Sequence, residues 1–324
     1  MTALPSTEWT EVIAPDEEAR FAGYAEQIGA VQRASAATHG SAGRALHRTQ
    51  HLGMRATVTI AADVPAYAKH GLFAQAGTYE AQIRLSSGSG AHQPDKKADV
   101  RGFALRILGV EGDGALGRPT TEQHFLLINQ PTFAIASADD FIGLVTASAR
   151  GDLAVVRHMI KRHGFFAGLR EVKRIATGLG KPFAGFAVAP FYSAAPVAVG
   201  PYAAKVRVLP KNPAEPTSDK RDLAANVIAR LAAGALAWDL QLQFYVDAKT
   251  TPIEDATVEW PEATAPWVTV GRLTAPQQDP SALTDAIGKA KFDPWAALAA
   301  HRPLGEIMRA RKAAYFTSTQ GRGV

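Results

Sequence analysis

Two polar residues near the C-terminal end of the chain have the spacing of partners on one helix. Segment 304–315 contains no proline and predicts a helix, on which Arg311 and Tyr315 lie one turn apart on the same face. A tyrosine ordinarily titrates near pH ~10, so it needs an adjacent cation to be a phenolate that binds a hard ferric ion. The pair therefore predicts either an iron-binding phenolate or, more simply, a buried tyrosine in an amphipathic helix.

Two histidines, His47 and His51, lie four residues apart just before the first predicted strand. This spacing can place two metal ligands on one face of a helix. No acidic residue follows as in an HExxH motif, Gly43 and Gly53 bracket the segment, and the chain then enters a strand. The pair is therefore either a zinc site or two structural or surface histidines.

The composition excludes several classes of site and partner. The 324 residues include no cysteine, which excludes disulfides, thiolate-bound zinc, iron–sulfur clusters and a thiolate-ligated haem. The 35 basic and 30 acidic residues are scattered, so we expect no nucleic-acid partner, although the net charge of +5 favours anionic ligands such as carboxylates. Segment 1–11 lacks the apolar core of a signal peptide, and no run of about 18 apolar residues could cross a membrane. We therefore expect a cytoplasmic protein without integral membrane association.

The elements that position these residues follow from changes in hydrophobic periodicity. Helical spacing over 15–39 gives way to alternating apolar and polar residues, which predict strands, and helical spacing returns over 137–180. The predicted strands cover 55–60, 78–86, 100–108, 123–129, 204–209, 240–246, 257–260 and 268–273. Two groups of four strands predict an α+β fold, namely an eight-stranded antiparallel β-barrel with inserted and flanking helices. Such a barrel can hold one ligand in or at its mouth.

The same periodicities predict how the chain is divided. We expect an N-terminal arm and helix over 1–40 and a barrel domain over 41–324, with a helical insertion at about 137–180 and a C-terminal helix over 303–316. The other predicted helices cover 138–148, 153–163, 168–179 and 220–236.

Several short segments resemble the haem catalases, and they occur in that family's order. They are Arg44-x-x-His47 with Gly53, Asp63-Val-Pro-Ala-Tyr67 with Leu72-Phe73, Ile83-Arg84-Leu-Ser-Ser87, Asp99-Val-Arg-Gly-Phe-Ala104, Phe125-Leu-Leu-Ile-Asn-Gln-Pro131 with Phe133, and Arg311-x-x-x-Tyr315-x6-Arg322. Together they span almost the whole chain. The resemblance implies a catalase-like barrel domain that binds haem b, with the haem ligand on the C-terminal helix.

The resemblance also implies a role for each matching residue. Tyr315 would be the proximal iron ligand, kept deprotonated by Arg311. His47 would be the distal acid/base that moves a proton from the first oxygen of a hydroperoxide to the second. The other matches are the arginines that pair with the haem propionates and the aromatic residue that stacks on the porphyrin, namely Arg44, Arg84, Arg322 and Phe133.

His47 and His51 both follow an arginine at the family's spacing, and only one can be the distal histidine. Counted back from Asp63 and Tyr67, the family's spacing misses His47 by one residue and His51 by three. We therefore predict that His47 is the distal histidine and that His51 packs near the start of the barrel.

Two departures from the catalases bear on the reaction. A catalase carries an asparagine over the iron, before the fourth strand. The equivalent position in this sequence is Thr121. The nearby asparagine is Asn129, at the far end of the strand, which we take as the second distal group; otherwise that group is absent. The sequence ends two residues after Arg322, which implies that the wrapping segment and C-terminal helical domain of full catalases are missing. A less enclosed haem would admit bulkier organic hydroperoxides.

These features predict a haem-dependent enzyme acting on hydrogen peroxide or organic hydroperoxides, more a peroxidase than an efficient catalase. The alternative among enzymes is a fatty-acid hydroperoxide isomerase or dehydratase of the allene oxide synthase kind. The alternative of another class is a barrel that binds haem or a lipid without turnover. Family members are often dimers or tetramers, so the resemblance is also compatible with a homo-oligomer.

Overall fold

The computed structural model describes residues 4–40, 43–211 and 222–322, within which nine strands and seven α-helices are formed. The strands are β1 Gln50–Ile60, β2 Gly77–Ser87, β3 Arg101–Asp113, β4 Pro119–Ile128, β5 Phe191–Tyr192, β6 Val197–Val199, β7 Tyr202–Pro210, β8 Leu236–Phe244 and β9 Trp267–Ala275. The helices are α1 Glu17–His39, α2 Ala138–Ser148, α3 Asp152–His163, α4 Phe165–Leu179, α5 Leu223–Ala233, α6 Ser281–Lys289 and α7 Glu306–Gln320.

Eight of the strands close into an antiparallel barrel. Pairing runs through β1, β2, β3, β4, β5, β7, β8 and β9, and β9 returns to β1. The short strand β5 closes this ring, because Tyr192 pairs with Ile128 on one side and with Arg207 on the other. The strands β5 and β6 pair with successive parts of β7. The predicted α+β barrel is confirmed.

Alternation along the strands separates a core from an outer face. In β2, Leu85 points into the barrel core, whereas its neighbours Arg84 and Ser86 point to the opposite face. The inward side chains of all the long strands join one cluster, in which the ring of Phe103 lies 5.5 Å from that of Trp238. The outer face of β2 is therefore available to a site between the barrel and the helices.

The helices pack on the outside of the barrel. α1 contacts α7, and α6 contacts β1. The insertion begins with α2, where Ser137 Oγ accepts a hydrogen bond from Asp140 N at 3.2 Å as a side-chain cap. Asp222 caps α5 in the same way, accepting from Ala225 N at 2.8 Å. Among the described residues, no helix combines the length and the apolar character needed to cross a membrane.

Several predicted boundaries differ from the structure. The strand predicted over 257–260 is wrong, because these residues form turns and loop, and β5 supplies the eighth strand instead. The helix predicted over 220–236 begins at Leu223, and residues 220 and 221 lie outside the described residues. Residues 41 and 42, at the predicted domain boundary, also lie outside them, so that division stays a prediction.

Candidate active site between the barrel and the last helix

The helix α7 holds the side chains of Arg311 and Tyr315 in contact. Arg311 Nη2 donates a hydrogen bond to Tyr315 Oη at 2.9 Å, and the guanidinium carbon lies 5.2 Å from the centroid of the Tyr315 ring. The other guanidinium nitrogen, Nη1, lies 3.1 Å from Met308 Sδ. A cation thus donates to the phenol oxygen.

His47 is held in an uncommon backbone conformation. Its φ of 53° is in the left-handed region, which few residues other than glycine adopt. Its N–H donates to Gly88 O at 2.9 Å, its carbonyl accepts from Arg84 Nη2 at 2.8 Å, and its Nδ1 lies 3.1 Å from Ser86 Oγ. These contacts fix both the backbone and the ring of His47 at the outer face of β2.

A glycine on the neighbouring strand makes room for the imidazole. A Cβ added at Gly102 would lie 2.6 Å from His47 Nδ1 and 2.7 Å from Ser86 Oγ. Such distances are too short for any side chain at this position. Gly102 therefore permits the His47 ring to lie flat against β3.

The electrostatic surroundings of His47 are strongly cationic. Desolvation by the surrounding protein, followed by the charges of Arg84, Arg311 and Arg44, lowers the pKa of His47 to about 3. The imidazole is therefore neutral at pH 7, and one ring nitrogen is a proton acceptor.

Three further arginines are gathered on the same side of the barrel. Arg44 donates to the carbonyls of Gly288 and Ala290 at the end of α6, at 2.8 Å each. Burial, then the charges of Arg84 and Arg322, lower the pKa of Arg44 to about 8, while Tyr315 raises it. Burial and Arg322 likewise lower the pKa of Arg84 to about 10.

The arginine cluster consists of Arg44, Arg84, Arg311 and Arg322. Within the described parts of the chain, no carboxylate forms an ion pair with any of the four, and Tyr315 interacts with all of them. Arg322 Nε is buried without a hydrogen-bond partner. Buried cations and buried donors are costly unless they are paired. The cluster therefore fits a ligand that carries carboxylates, as haem does.

Phe133 lies beside Arg311. The guanidinium of Arg311 lies 5.8 Å from the centroid of the Phe133 ring, and Phe133 packs on the cluster that contains Ile307 and Met308. Its backbone N–H donates to Ala256 O at 2.9 Å. The structure thus brings Phe133 to the Arg311 side of the site.

Asn129 lies at the end of β4 that is next to His47, and Thr121 does not. Asn129 follows Ile128, which pairs with the Gly102 that contacts His47. Its side-chain oxygen accepts the first backbone N–H of β3 at 2.7 Å. Thr121 is exposed and lies seven residues before Ile128, roughly 23 Å along the strand. The role of Asn129 as a distal group stays a prediction.

His51 belongs to a different cluster. Its Nε2 lies 2.7 Å from Ser87 Oγ and its Nδ1 3.6 Å from Asp95 Oδ1, while its ring contacts Phe186 at 5.3 Å between centroids. Ser86 and Ser87 point to opposite faces of β2, so the two histidines that they contact are separated by the sheet. His47 and His51 therefore do not form a joint metal site.

The sequence did not identify three partners of the site, which are Ser86, Gly102 and the end of α6. The first two stand inside segments that resemble the catalases, so the motifs contained the signal, but only the register of β2 and β3 shows that both touch His47. The helix α6 was not predicted at all, although its last carbonyls hold Arg44.

Solved structures of catalases share this architecture. A bacterial catalase superposes with a TM-score of 0.69 at 19% identity, covering 86% of this chain and 57% of its own. The fold is catalase-like. A fungal catalase (TM-score 0.65, 16% identity) and catalase A from Saccharomyces cerevisiae (0.64, 16%) each cover 86% of this chain, and 59% and 61% of their own.

This likeness shows the fold and no more, because the identities are low. The catalase-like barrel spans about three fifths of the length of these structures. No family model and no curated protein matches the sequence. The activity of the catalase-like chain therefore has to be argued from its own residues.

Proposed function

We propose that this chain binds haem b and processes hydroperoxides, with turnover of the peroxidase type. The observation that carries the proposal is the arginine cluster, which interacts with Tyr315 and His47 and pairs with no carboxylate of the described residues. The catalase-like fold supports it independently.

The residues around the cluster divide into groups that would hold different parts of the haem. Tyr315 would ligate the iron, and the hydrogen bond from Arg311 would keep it a phenolate. Phe133 would contact the porphyrin face. Arg44, Arg84 and Arg322 would bind the two propionates, which would supply the anions that these guanidinium groups lack.

When bound, the haem would supply the redox centre at which the peroxide O–O bond is cleaved. His47 would supply the proton transfer. A neutral ring that donates Nδ1–H to Ser86 Oγ presents Nε2 as the acceptor for the hydroperoxide proton. The low pKa of His47, about 3, means that this proton is readily released to the second oxygen.

Asn129 would act as the second polar group over the substrate. Its carbonyl oxygen is already engaged by β3, so only its amide nitrogen is left to donate to a peroxide oxygen. Fast dismutation of hydrogen peroxide requires a second peroxide molecule to be oriented. With its oxygen engaged by β3, Asn129 would hold a second peroxide through donated N–H bonds alone, which is why we propose peroxidase rather than efficient catalase turnover.

The decisive experiment is an absorption spectrum of the purified protein loaded with hemin. We expect a Soret band with high-spin charge-transfer features of a tyrosinate, lost or strongly shifted in Tyr315→Phe and retained in Tyr79→Phe, a barrel tyrosine on β2. A protein that takes up no hemin, or a spectrum unchanged by Tyr315→Phe, would overturn the proposal.

Activity assays on the loaded protein separate the kinds of turnover. Peroxide-dependent oxidation of a dye marks the peroxidase that we propose, and oxygen evolution marks a catalase. Loss of a lipid hydroperoxide without any reductant marks an isomerase. We expect His47→Ala to abolish turnover and retain hemin, whereas His51→Ala should retain both, since His51 lies on the other face of β2.

A further inference from the structure

The hairpin formed by α3 and α4 is the most exposed apolar feature of the described residues. At its tip, Phe165 and Phe166 are 58% and 86% exposed, and their rings contact each other at 5.4 Å between centroids. Leu169, in the next turn of α4, is 41% exposed. Large aromatic side chains exposed together mark a surface that another phase or molecule covers.

The orientation of α4 is fixed by close packing on α3. A Cβ added at Gly168 would lie 2.6 Å from Met159 O and 2.7 Å from the Cα of Ile160, so Gly168 faces α3. Residues two positions away on a helix point to the opposite side. The outward side therefore carries Phe166 and Arg170.

This outward side continues along α4 as a basic face. Phe166, Leu169, Arg170 and Lys173 follow the i, i+3, i+4, i+7 spacing of one helical face, and all four are exposed. Lys161, in the last turn of α3, is exposed beside the tip. The ion pairs of the hairpin engage Arg162 and Arg174, and none in the described chain engages Lys161, Arg170 or Lys173.

The charge of the chain is concentrated here. Residues 150–181 contain eight Lys and Arg and two Asp and Glu, a net charge of +6, whereas the whole chain has a net charge of +5. The remainder therefore carries a net charge of −1. A cation-rich face around exposed phenylalanines is the pattern of a helix that lies in the interface of an anionic bilayer.

We propose that the tip and outer face of this hairpin, Lys161, Phe165, Phe166, Leu169, Arg170 and Lys173, dock on an anionic lipid bilayer. The phenylalanines and Leu169 enter the acyl boundary, and the three cations stay at the level of the headgroups. Nucleic acid offers no hydrocarbon to bury Phe166, so a lipid surface fits the combination better.

The hairpin also adjoins the candidate active site. The end of α4 is tied to segment 130–134, which contains Phe133, because Gln130 Nε2 donates to Gly178 O at 3.0 Å and Arg174 donates to Ala134 O. Phe166 lies roughly 18 Å along the helix from Gly178, so a bilayer on this face would lie within one helix length of the site. The substrates would then be hydroperoxides of membrane lipids, an extension that rests on the proposed haem function, whereas the docking itself does not.

Co-sedimentation of the full chain with vesicles tests the docking. We expect binding to phosphatidylcholine vesicles that contain phosphatidylglycerol, with little binding to phosphatidylcholine alone and release at high salt. Phe166→Ser should weaken binding at least roughly tenfold, and Lys161→Gln and Lys173→Gln roughly fivefold each. Matched controls are Ile13→Ser, 67% exposed on the N-terminal arm, and the exposed Lys249→Gln, which should bind as the parent does.

Several outcomes would overturn the proposal. They are equal binding to neutral and anionic vesicles, undiminished binding of Phe166→Ser, and a self-association or an RNA affinity that Phe166→Ser removes while no vesicle is bound.

Hemin absorbance in the same samples keeps the two proposals distinguishable. If the protein binds hemin but not vesicles, the docking proposal alone is refuted. If it binds vesicles but not hemin, the haem function alone is refuted. If both hold, Phe166→Ser should slow turnover of a vesicle-embedded lipid hydroperoxide and leave turnover of water-soluble tert-butyl hydroperoxide unchanged. Equal slowing of the two substrates would overturn membrane delivery.

Discussion

Arg309 and Arg311 lie two residues apart on α7, and their surroundings are opposite in charge. Arg309 donates to Glu11 and Glu17 at 2.7 Å and to Glu254 at 3.1 Å. Burial alone would lower the pKa of Arg309, but these three carboxylates raise it above its usual value. Arg311 faces the other side, where its partners are a phenol, a thioether and the ring of Phe133.

The contrast distinguishes charged residues that stabilise the fold from charged residues that are available to a ligand. The Arg309 network joins the N-terminal arm, α1 and the loop around Glu254 to α7, and its cation is paired with carboxylates of the chain. In the described part of the chain no carboxylate pairs with the arginine cluster, and burial lowers the pKa of Arg322, one of its members. The direction of the pKa change therefore separates a structural network from a candidate binding site on the same helix.

The largest loss of stability should come from removing the cation of the Arg309 network. Arg309→Met removes the cation that the carboxylates of Glu11, Glu17 and Glu254 share, although Glu11 keeps its ion pair with Arg302, and we expect it to lower the free energy of unfolding by about 3–5 kcal/mol. Urea unfolding of the hemin-free protein measures this. A loss below about 1 kcal/mol would show that the network contributes little.

Just after the end of α7, a matched change should affect the ligand instead of the fold. We expect Arg322→Met to leave the stability of the hemin-free protein unchanged or slightly raised, because its buried Nε has no partner. Hemin affinity should fall by about 1.5–3 kcal/mol, the contribution of a charged hydrogen bond. Hemin titration followed by absorbance measures this, and an unchanged affinity with reduced stability would reverse the comparison.

A mild decrease in pH should lower the stability through His47, beside the arginine cluster, before it affects the Arg309 network. His47 has a folded pKa of about 3 against about 6.5 in the unfolded chain, so the unfolded chain takes up a proton that the fold excludes as the pH falls below about 6.5. Stability is therefore lost with decreasing pH, by at most about 2 kcal/mol for His47 between pH 7 and pH 5. His51 and His301, each with a pKa lowered to about 4, contribute to the same loss of stability with decreasing pH.

A pair of variants isolates the part that belongs to His47. His47→Gln should reduce the pH dependence of the free energy of unfolding by the equivalent of one bound proton. Urea midpoints at several pH values measure this. Glu17→Gln should leave that pH dependence unchanged above about pH 5, because Arg309 lowers the pKa of Glu17 and its stabilisation is lost only at lower pH. An unchanged pH dependence in His47→Gln would mean that the ring is protonated in the fold.

The smallest effect should come from the serine that orients His47. Ser86→Ala removes one hydrogen bond to Nδ1 and should cost about 1 kcal/mol in stability, with a drop in turnover of the hemin-loaded enzyme. Ser87→Ala, on the inner face beside His51, serves as the control and should spare turnover. Equal activities would show that Ser86 does not orient the ring.

Much of the fold could be predicted because it is local. The bounds of α2 match the prediction, and seven strands appear where alternation placed them. The barrel closes through β5, whose two residues are too few to show any period, so the eighth strand was assigned to 257–260 instead. The contact of Arg311 with Tyr315 followed from their helical spacing.

The remainder of the site depends on contacts between distant segments. That Gly102 and Ser86 meet at His47 depends on strand register, and that Arg44 reaches Ala290 depends on how α6 lies on β1. Residues 246 positions apart in sequence share no local pattern. That no carboxylate of the described residues pairs with the arginine cluster likewise depends on contacts between distant segments.

The two-residue strand β5 makes one seam of the barrel unlike the others. β1 and β2 pair along nearly their whole length, whereas β4 reaches β7 through the backbone of Phe191 and Tyr192. The seam is held by side chains instead, since the fully buried Phe191 stacks on Phe186 at 5.8 Å and contacts Phe103. Local opening costs least where the fewest backbone bonds must break. Any local opening of the cylinder should therefore begin along this line.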